Sequence, residues 1–149
     1  MNEGLTFLAT APAGFEPLLI AELSALGAND PKPVRGGVRF HGSQELAYRA
    51  CLWSRTASRV LLPLFEFPVT GTEALYAGIH NFPWETHLNP DSTLSVEFSG
   101  TCPGIDHVHF GAQRVKDAIV DRFRARFGRR PGVARQRPDL QIHVLSRDG

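Results

Sequence analysis

Residues 110–127 read FGAQRVKDAIVDRFRARF and form the clearest amphipathic pattern in the chain. Apolar side chains recur there every three or four residues, which places them on one face of an α-helix. Gly128 follows where a glycine commonly ends a helix. We therefore predict a long helix over 110–127 with its apolar face in a core. The apolar positions are Ala112, Val115, Ile119, Phe123 and Phe127.

The segments around this helix complete a predicted α/β module. Residues 93–98 and 140–145 alternate between apolar and polar side chains, as strands with one buried face do. Residues 72–79 are helical in pattern, and residues 82–90 form a connection that contains Trp84. The closing Asp148-Gly149 is typical of a hairpin turn. We therefore expect a further strand, so that the module is truncated at its C-terminal hairpin and the chain is an N-terminal fragment of a longer protein.

The first 67 residues predict a separate module. Three strand patterns alternate with two helical ones, and Ser43 is the expected N-cap of the second helix. Residues 29–33, which contain Pro31 and Pro33, are predicted to be irregular. This order favours a two-layer ferredoxin-like module, so the predicted class is α+β with domains at 1–67 and 68–149. The strands are predicted at 5–11, 38–40 and 60–67, and the helices at 15–26 and 43–52.

Composition narrows the class of protein. The chain has 149 residues, 42% hydrophobic, and a formal net charge of +1, which excludes a basic tail and a polyacidic disordered segment. No run approaches eighteen apolar residues and no basic-then-apolar leader begins the chain, so we expect a soluble cytoplasmic protein without a membrane partner. Cys51 and Cys102 lack a CxxC spacing, which favours reduced thiols.

Charge is distributed unevenly along the chain. Residues 1–105 carry 6 basic and 10 acidic side chains, whereas residues 106–149 carry 10 basic and 5 acidic ones. Arginine offers a planar donor fork to phosphate and stacks on bases, so this C-terminal third predicts a nucleic-acid surface. The alternative is a solvated helix face with intrahelical pairs such as Asp121 with Arg124. The predicted RNA-binding residues are Arg114, Lys116, Arg122, Arg124, Arg126, Arg129, Arg130, Arg135 and Arg137.

A second cluster contains Trp53, Arg55 and Arg59. These residues could contact RNA or pack at an interface, and we favour packing for Trp53 because a large indole at a helix-to-strand joint is usually buried. Trp84 carries the same two interpretations, with burial again expected. For Lys116 and Arg126, which fall in or beside the apolar arc, the alternatives are snorkelling and a phosphate or partner contact.

Patterns for catalysis and metal binding are weak. Cys102, His107 and His109 lie close in sequence, but a structural zinc site needs four ligands in paired short spacings, so no metal is predicted. The chain contains no phosphate-binding loop, dinucleotide fingerprint or nucleophile elbow. We therefore predict no catalytic residue and no bound cofactor in this chain.

Several motifs resemble the N-terminal part of bacterial 23S rRNA guanine-N2 methyltransferases. They are ACLWSRTASR at 50–59, FGAQRVKDAIVD at 110–121, RGGVRF at 35–40 and FSG at 98–100. The resemblance implies a ferredoxin-like domain followed by a THUMP domain, an RNA-binding module. It also implies 23S rRNA as partner and a separate C-terminal methyltransferase domain that uses S-adenosylmethionine.

Two departures qualify what the resemblance implies. The catalytic motif of the family, Asn/Asp-Pro-Pro-aromatic, has no counterpart here, because Asn89-Pro90-Asp91 lacks the second proline and the aromatic residue. Residues 106–109 include Asp106 where relatives tend to carry Arg, Asn, Ser or Gln, which argues against a phosphate contact in that loop.

The alternative function is a regulatory or assembly module that packs on its own catalytic domain or on another copy.

Overall fold

The structure is a computed structural model that describes residues 4–147. The chain divides into two compact units, Met1–Phe65 and Glu66–Gly149. Both are mixtures of helices and strands, which confirms the predicted α+β class. Among residues 4–147, no helix is both long and apolar enough to cross a membrane.

Unit 1 has the βαββαβ order and the sheet of a ferredoxin-like fold. Its four strands stand in the order β2-β3-β1-β4, and each neighbouring pair is antiparallel. The ferredoxin-like prediction is therefore confirmed. The elements are β1 (Leu5–Thr10), α1 (Glu16–Ala25), β2 (Asn29–Val34), β3 (Gly37–Gly42), α2 (Gln44–Trp53) and β4 (Arg59–Leu61).

The core of unit 1 lies between the sheet and the two helices. Alternate residues of β1 and β3 are buried. The rings of Phe7 and Phe40 stack with their centres 5.5 Å apart. Leu19 and Leu23 of α1 are fully buried against them. The predicted cap is present, since the Leu46 amide donates to the Ser43 hydroxyl at 3.2 Å.

Two predictions for unit 1 were wrong. Residues 29–33 were expected to be irregular, yet they belong to β2, because an edge strand tolerates prolines whose missing amides face away from the sheet. The register shifts between Asn29 and Lys32, which accommodates Asp30 in a left-handed conformation at φ 48°. The last strand, predicted over 60–67, covers only Arg59–Leu61.

Unit 2 packs two helices against a three-stranded parallel sheet. The strand order is β6-β5-β7. The predicted long helix is present, and Gly128 ends it in the left-handed conformation at φ 67°. The elements are α3 (Thr72–Asn81), a 3₁₀ turn (Trp84–Thr86), β5 (Thr93–Gly100), α4 (Val108–Phe127), β6 (Gly132–Val133) and β7 (Leu140–Ser146).

Helix α4 is the centre of the unit 2 core. Val115, Ile119 and Phe123 are buried as predicted, but Ala118 is buried too, because α4 packs between the sheet and α3. Phe127, which was predicted to be buried, is 47% exposed and stacks on Phe123. The basic segment after α4 contains the short strand β6. The predicted hairpin turn at 148–149 lies outside the described residues.

Candidate nucleic-acid interface

All nine basic residues predicted to bind RNA belong to unit 2. Helix α4 carries Arg114, Lys116, Arg122, Arg124 and Arg126, and the segment after its C-cap carries Arg129, Arg130, Arg135 and Arg137. They differ in what each side chain contacts, and this difference sorts them into two sets.

Arg122 is held most firmly. Its guanidinium donates from Nε to Glu85 at 2.9 Å, from Nη2 to the other oxygen of Glu85 at 2.7 Å, and from Nη1 to the His80 carbonyl at 2.8 Å. The side chain is only 15% exposed. Arg126 also contacts the Glu85 carboxylate. The hydrogen bonds from Arg122, despite partial burial, lower the pKa of Glu85 to about 2. Arg122 therefore connects α4 to the 3₁₀ turn.

Arg114 is engaged by α3. It donates to Glu73 at 3.0 Å, and its guanidinium lies 4.3 Å above the centre of the Tyr76 ring. The Tyr76 hydroxyl donates to Asp121 at 2.5 Å, and this hydrogen bond raises the pKa of Tyr76. Asp121 thus contacts α3, and the predicted intrahelical pair between Asp121 and Arg124 is absent from the described ion pairs.

Two further cations contact nearby carboxylates. Lys116 lies 3.5 Å from Asp117, and its side chain is 22% exposed. Arg129 donates to Asp91 at 2.8 Å, and both side chains are largely exposed. Five of the nine predicted residues therefore have a carboxylate partner within unit 2.

The acidic partners come from a segment whose role sequence reasoning missed. Residues 68–105 carry four acidic and no basic side chains. Three of the four, Glu73, Glu85 and Asp91, contact cations on α4 or just after it. Residues 1–65 carry 5 acidic and 6 basic side chains, so the acidic character of residues 1–105 lies in residues 66–105 of unit 2, which carry 5 acidic and no basic ones. The all-acidic run can be seen in the sequence, but the cations that its carboxylates contact lie far away along the chain.

The other four arginines form a distinct set. Arg124, Arg130, Arg135 and Arg137 are exposed, and their side chains make no hydrogen bond or ion pair within residues 4–147. We call these four residues the open arginines. Each keeps its full set of five donors for an external acceptor. This set is the part of the predicted surface that has the chemistry to bind phosphate.

The loop that carries three open arginines is fixed to the sheet. The Gly132 amide donates to the Ser92 carbonyl and the Ala134 amide to the Leu94 carbonyl, both at 3.0 Å. At its other end, Asp139 accepts from the Thr93 amide at 2.8 Å. The segment is thereby placed at the N-terminal end of β5. A fixed loop loses less conformational freedom when it binds a ligand.

The two tryptophans have opposite environments. Trp84 is 1% exposed and its indole donates to the Ile79 carbonyl at 2.8 Å, so burial is confirmed and a base contact does not fit. Trp53 was expected to be buried, but it is 67% exposed at the end of α2. Tyr48 and Leu52 of α2 are exposed as well. Trp53 therefore lies on an exposed face of α2 and is not buried at the connection from α2 to β4.

The loop after Trp53 is held by Glu22. Its carboxylate accepts from the Ser54 and Thr56 hydroxyls at 2.6 and 2.8 Å and from the Arg55 amide at 3.2 Å. The hydrogen bond from Ser54 contributes most to lowering the pKa of Glu22. Arg55 and Arg59 are both exposed. Arg55 therefore belongs to a fixed loop, directly after the helix that ends at Trp53.

The candidate metal ligands do not form a site. Cys102 is buried, whereas His107 and His109 are exposed at the start of α4. Across residues 4–147, no three histidine, cysteine or acidic side chains are grouped so as to hold a metal ion. Cys51 and Cys102 are both free thiols.

Family models match both units. The model described as "RlmL ferredoxin-like domain" matches residues 6–61, and the model described as "THUMP domain" matches residues 69–149. A Methylococcus capsulatus protein named "Ribosomal RNA large subunit methyltransferase K/L" is 51% identical over 93% of this chain. A Pseudomonas aeruginosa protein of the same name is 51% identical over 91%. The chain spans 19% of the length of each relative.

Solved structures share the arrangement of elements. The candidate methyltransferase SMU.472, in complex with SAH, is 28% identical and superposes with a TM-score of 0.81 over 99% of this chain and 40% of that one. TrmN from Thermus thermophilus, at 24% identity and a TM-score of 0.62 over 96% of this chain and 42% of that one, shows the likeness of fold alone. With a THUMP model matching more than half of its length, the chain belongs to the THUMP domain family.

Proposed function

We propose that this chain is the RNA-binding portion of an S-adenosylmethionine-dependent 23S rRNA guanine-N2 methyltransferase of the cytoplasm. It would comprise a ferredoxin-like domain at 1–67 and a THUMP domain at 68–149, and would present structured rRNA to a catalytic domain outside this chain. The names of the relatives support the reaction class, and the SAH held by SMU.472 supports the methyl donor.

The observation that carries the proposal is the set of open arginines. Exposed guanidinium groups without internal partners bind phosphate by charge-assisted, often bidentate, hydrogen bonds. Phosphate contacts fix position and orientation but carry no sequence information. This chain would therefore dock and orient the rRNA. The guanine would be selected in the catalytic domain, where S-adenosylmethionine supplies the methyl group.

The remaining predicted residues have different roles in this proposal. Arg114, Lys116, Arg122, Arg126 and Arg129 balance carboxylates of unit 2 and stabilise the fold that presents the open arginines. Trp53, Arg55 and Arg59 would contribute a stacking or interface contact from unit 1. Trp84 belongs to the core.

The direct test is the salt dependence of RNA binding by the 149-residue chain. Binding to a labelled 23S rRNA hairpin can be followed by fluorescence anisotropy. The logarithm of the association constant should fall linearly with the logarithm of the salt concentration. Four phosphate contacts from the open arginines alone contribute roughly −3 to −4 to the slope, which is a loss on the order of a hundredfold between about 50 and 200 mM salt. Affinity that is unchanged over this range would exclude backbone contact by the open arginines.

A second candidate function is assembly, and one observation favours it. Tyr48, Leu52 and Trp53 on α2 are 64%, 74% and 67% exposed, and large exposed apolar side chains mark interaction surfaces. In this alternative α2 packs on the parent's own C-terminal domain or on a second copy. Sedimentation across a range of concentrations tests packing on a second copy, since a monomer that binds RNA tightly contradicts self-association.

A further inference from the structure

The two faces of the unit 1 sheet have different chemistry. Helices α1 and α2 cover the face that bears Phe7, Ala9, Val38 and Phe40. The alternate residues of the same strands point the other way, because successive strand side chains lie on opposite faces. We call this second surface the helix-free face. It combines cations and hydroxyl groups with two half-buried leucines.

Strand register places its central side chains in one row across all four strands. Lys32 of β2 stands opposite Arg39 of β3, and Arg39 stands opposite Leu8 of β1. Leu8 in turn stands opposite Leu61 of β4. Side chains directly opposite each other in a sheet have Cβ atoms about 5 Å apart. Two adjacent cations on β2 and β3 therefore lie beside two half-buried leucines, Leu8 and Leu61, on β1 and β4.

Neighbouring rows add hydroxyl groups and a third cation. Thr10 stands opposite Arg59, and Thr6 stands opposite His41, with its hydroxyl 3.0 Å from the His41 imidazole. Threonine hydroxyls and cations are the side chains that contact sugar and phosphate oxygens. The aromatic rings of β1 and β3 belong to Phe7 and Phe40, which are buried on the opposite face.

The two layers of unit 1 differ in net charge. The helices carry Glu16, Glu22 and Glu45 against one cation, Arg49, while Lys32, Arg39 and Arg59 belong to the strands of the helix-free face. Asp30 contacts Lys32 at 2.9 Å and offsets one of these charges. Arg39 is exposed, and its side chain makes no hydrogen bond or ion pair with any residue from 4 to 147. The helix-free face is therefore electropositive.

We propose that the helix-free face is a second contact surface for the RNA backbone, centred on Arg39 and Lys32. The inference rests on the proposed function and extends it to unit 1. RNA is favoured over an acidic protein because the face combines cations and hydroxyls with no exposed aromatic anchor of the kind that dominates protein interfaces. Four-stranded sheets that read RNA sequence do so by stacking bases on aromatic side chains. Because Phe7 and Phe40 are buried, this face contacts phosphate and sugar with little sequence preference.

The test uses Lys32→Gln/Arg39→Gln in the 149-residue chain. Both side chains are exposed, so circular dichroism and the unfolding midpoint should match the wild type. Loss of two phosphate contacts should make the salt-dependence slope shallower by roughly 1.4 to 1.8 and weaken binding on the order of tenfold at low salt. The change should be equal for a 23S rRNA hairpin and for a hairpin of the same length with an unrelated sequence. Arg49→Gln on α2, which removes a cation paired with Glu45, is the control and should leave the slope unchanged.

The outcomes separate this inference from the function on which it rests. If the wild-type chain binds with a steep salt dependence and Lys32→Gln/Arg39→Gln leaves affinity and slope unchanged, the helix-free face does not contact RNA, although the proposed function stands. If the variant weakens binding of the 23S rRNA hairpin but not of the hairpin with an unrelated sequence, the contact reads sequence and the backbone assignment is wrong. Absence of salt-dependent binding by the wild type overturns both.

Discussion

The guanidinium of Arg122 and the carboxylate of Glu85 form a two-point ion pair, with hydrogen bonds of 2.9 and 2.7 Å, between α4 and the 3₁₀ turn. Arg122 lies in the basic window 114–137, yet its charge is paired with a carboxylate inside the fold. The same basic window therefore contains cations that stabilise unit 2 and cations that remain available to a ligand.

Replacing Arg122 should lower stability far more than replacing its exposed neighbour Arg124. Arg122→Gln leaves the partly buried Glu85 without its main donor, which should lower the free energy of unfolding by about 1–3 kcal/mol. Arg124→Gln should change it by less than about 0.5 kcal/mol, as exposed substitutions usually do. Urea unfolding of the three proteins measures the difference. Equal stability of the two variants would mean that the ion pair contributes nothing.

The Glu85 pair should also make stability depend on pH. The pKa of Glu85 is lowered from 4.5 to about 2 in the folded chain, chiefly by hydrogen bonds from Arg122. A carboxylate whose pKa is lower in the folded than in the unfolded chain contributes its full stabilisation at pH values above the unfolded pKa. This stabilisation is lost as the pH falls towards the folded pKa. The stability difference between wild type and Glu85→Gln should therefore be constant from pH 7 to about 5 and shrink between about 4.5 and 2.

The comparison with Glu85→Gln is needed because the pKa of Glu22 is lowered as well, mainly by the Ser54 hydrogen bond. That contribution is common to both proteins and cancels in the difference. Unfolding titrations at a series of pH values provide the measurement. A difference that grows on acidification would contradict the assigned direction.

The two tryptophans should report on different regions. Trp53→Phe should remove the component of fluorescence that acrylamide quenches readily, because Trp53 is exposed, and should hardly change stability. Trp84→Phe should leave that component in place. Truncation of the buried indole in Trp84→Ala should cost about 3–5 kcal/mol, whereas Trp53→Ala should cost well under 1 kcal/mol. Similar quenching of the two single-tryptophan proteins would be inconsistent with the burial described here.

Gly111 should resist replacement even though it lies in a helix. A Cβ at this position would come 2.8 Å from the Phe98 ring, closer than a side chain tolerates. Gly111→Ala should gain about 1 kcal/mol of helix propensity but lose about 1–3 kcal/mol to overpacking, so the variant should be less stable. Thermal unfolding gives the sign directly. A more stable variant would show that β5 and α4 can separate without cost.

Local patterns predicted most of the elements. The α4 periodicity, the Gly128 C-cap and the Ser43 N-cap depend on residues close in sequence, and all three are present. Strand β2 was missed because Pro31 and Pro33 oppose strand formation, and only its position at the sheet edge removes that penalty. An edge position depends on the order of all four strands, which local patterns do not contain.

The candidate interface was predicted less well, for a related reason. Nine basic residues could be found by counting, but their partners Glu73, Glu85 and Asp91 lie about 40 residues away in sequence. Which arginines are paired is decided by how α3 and the turn after it pack on α4. The row formed by Lys32 and Arg39 was likewise invisible, because it depends on strand register.

In the proposed function the open arginines bind RNA while the paired ones support the fold. The most direct measurement is the affinity and salt-dependence slope for a 23S rRNA hairpin of Arg130→Gln/Arg135→Gln/Arg137→Gln, beside Arg114→Gln/Glu73→Gln, which removes a pair without changing net charge. We predict a slope shallower by roughly 2 to 3 for the first variant and near wild-type binding for the second. Unchanged binding by the first variant, or equal losses by both, would contradict the claim.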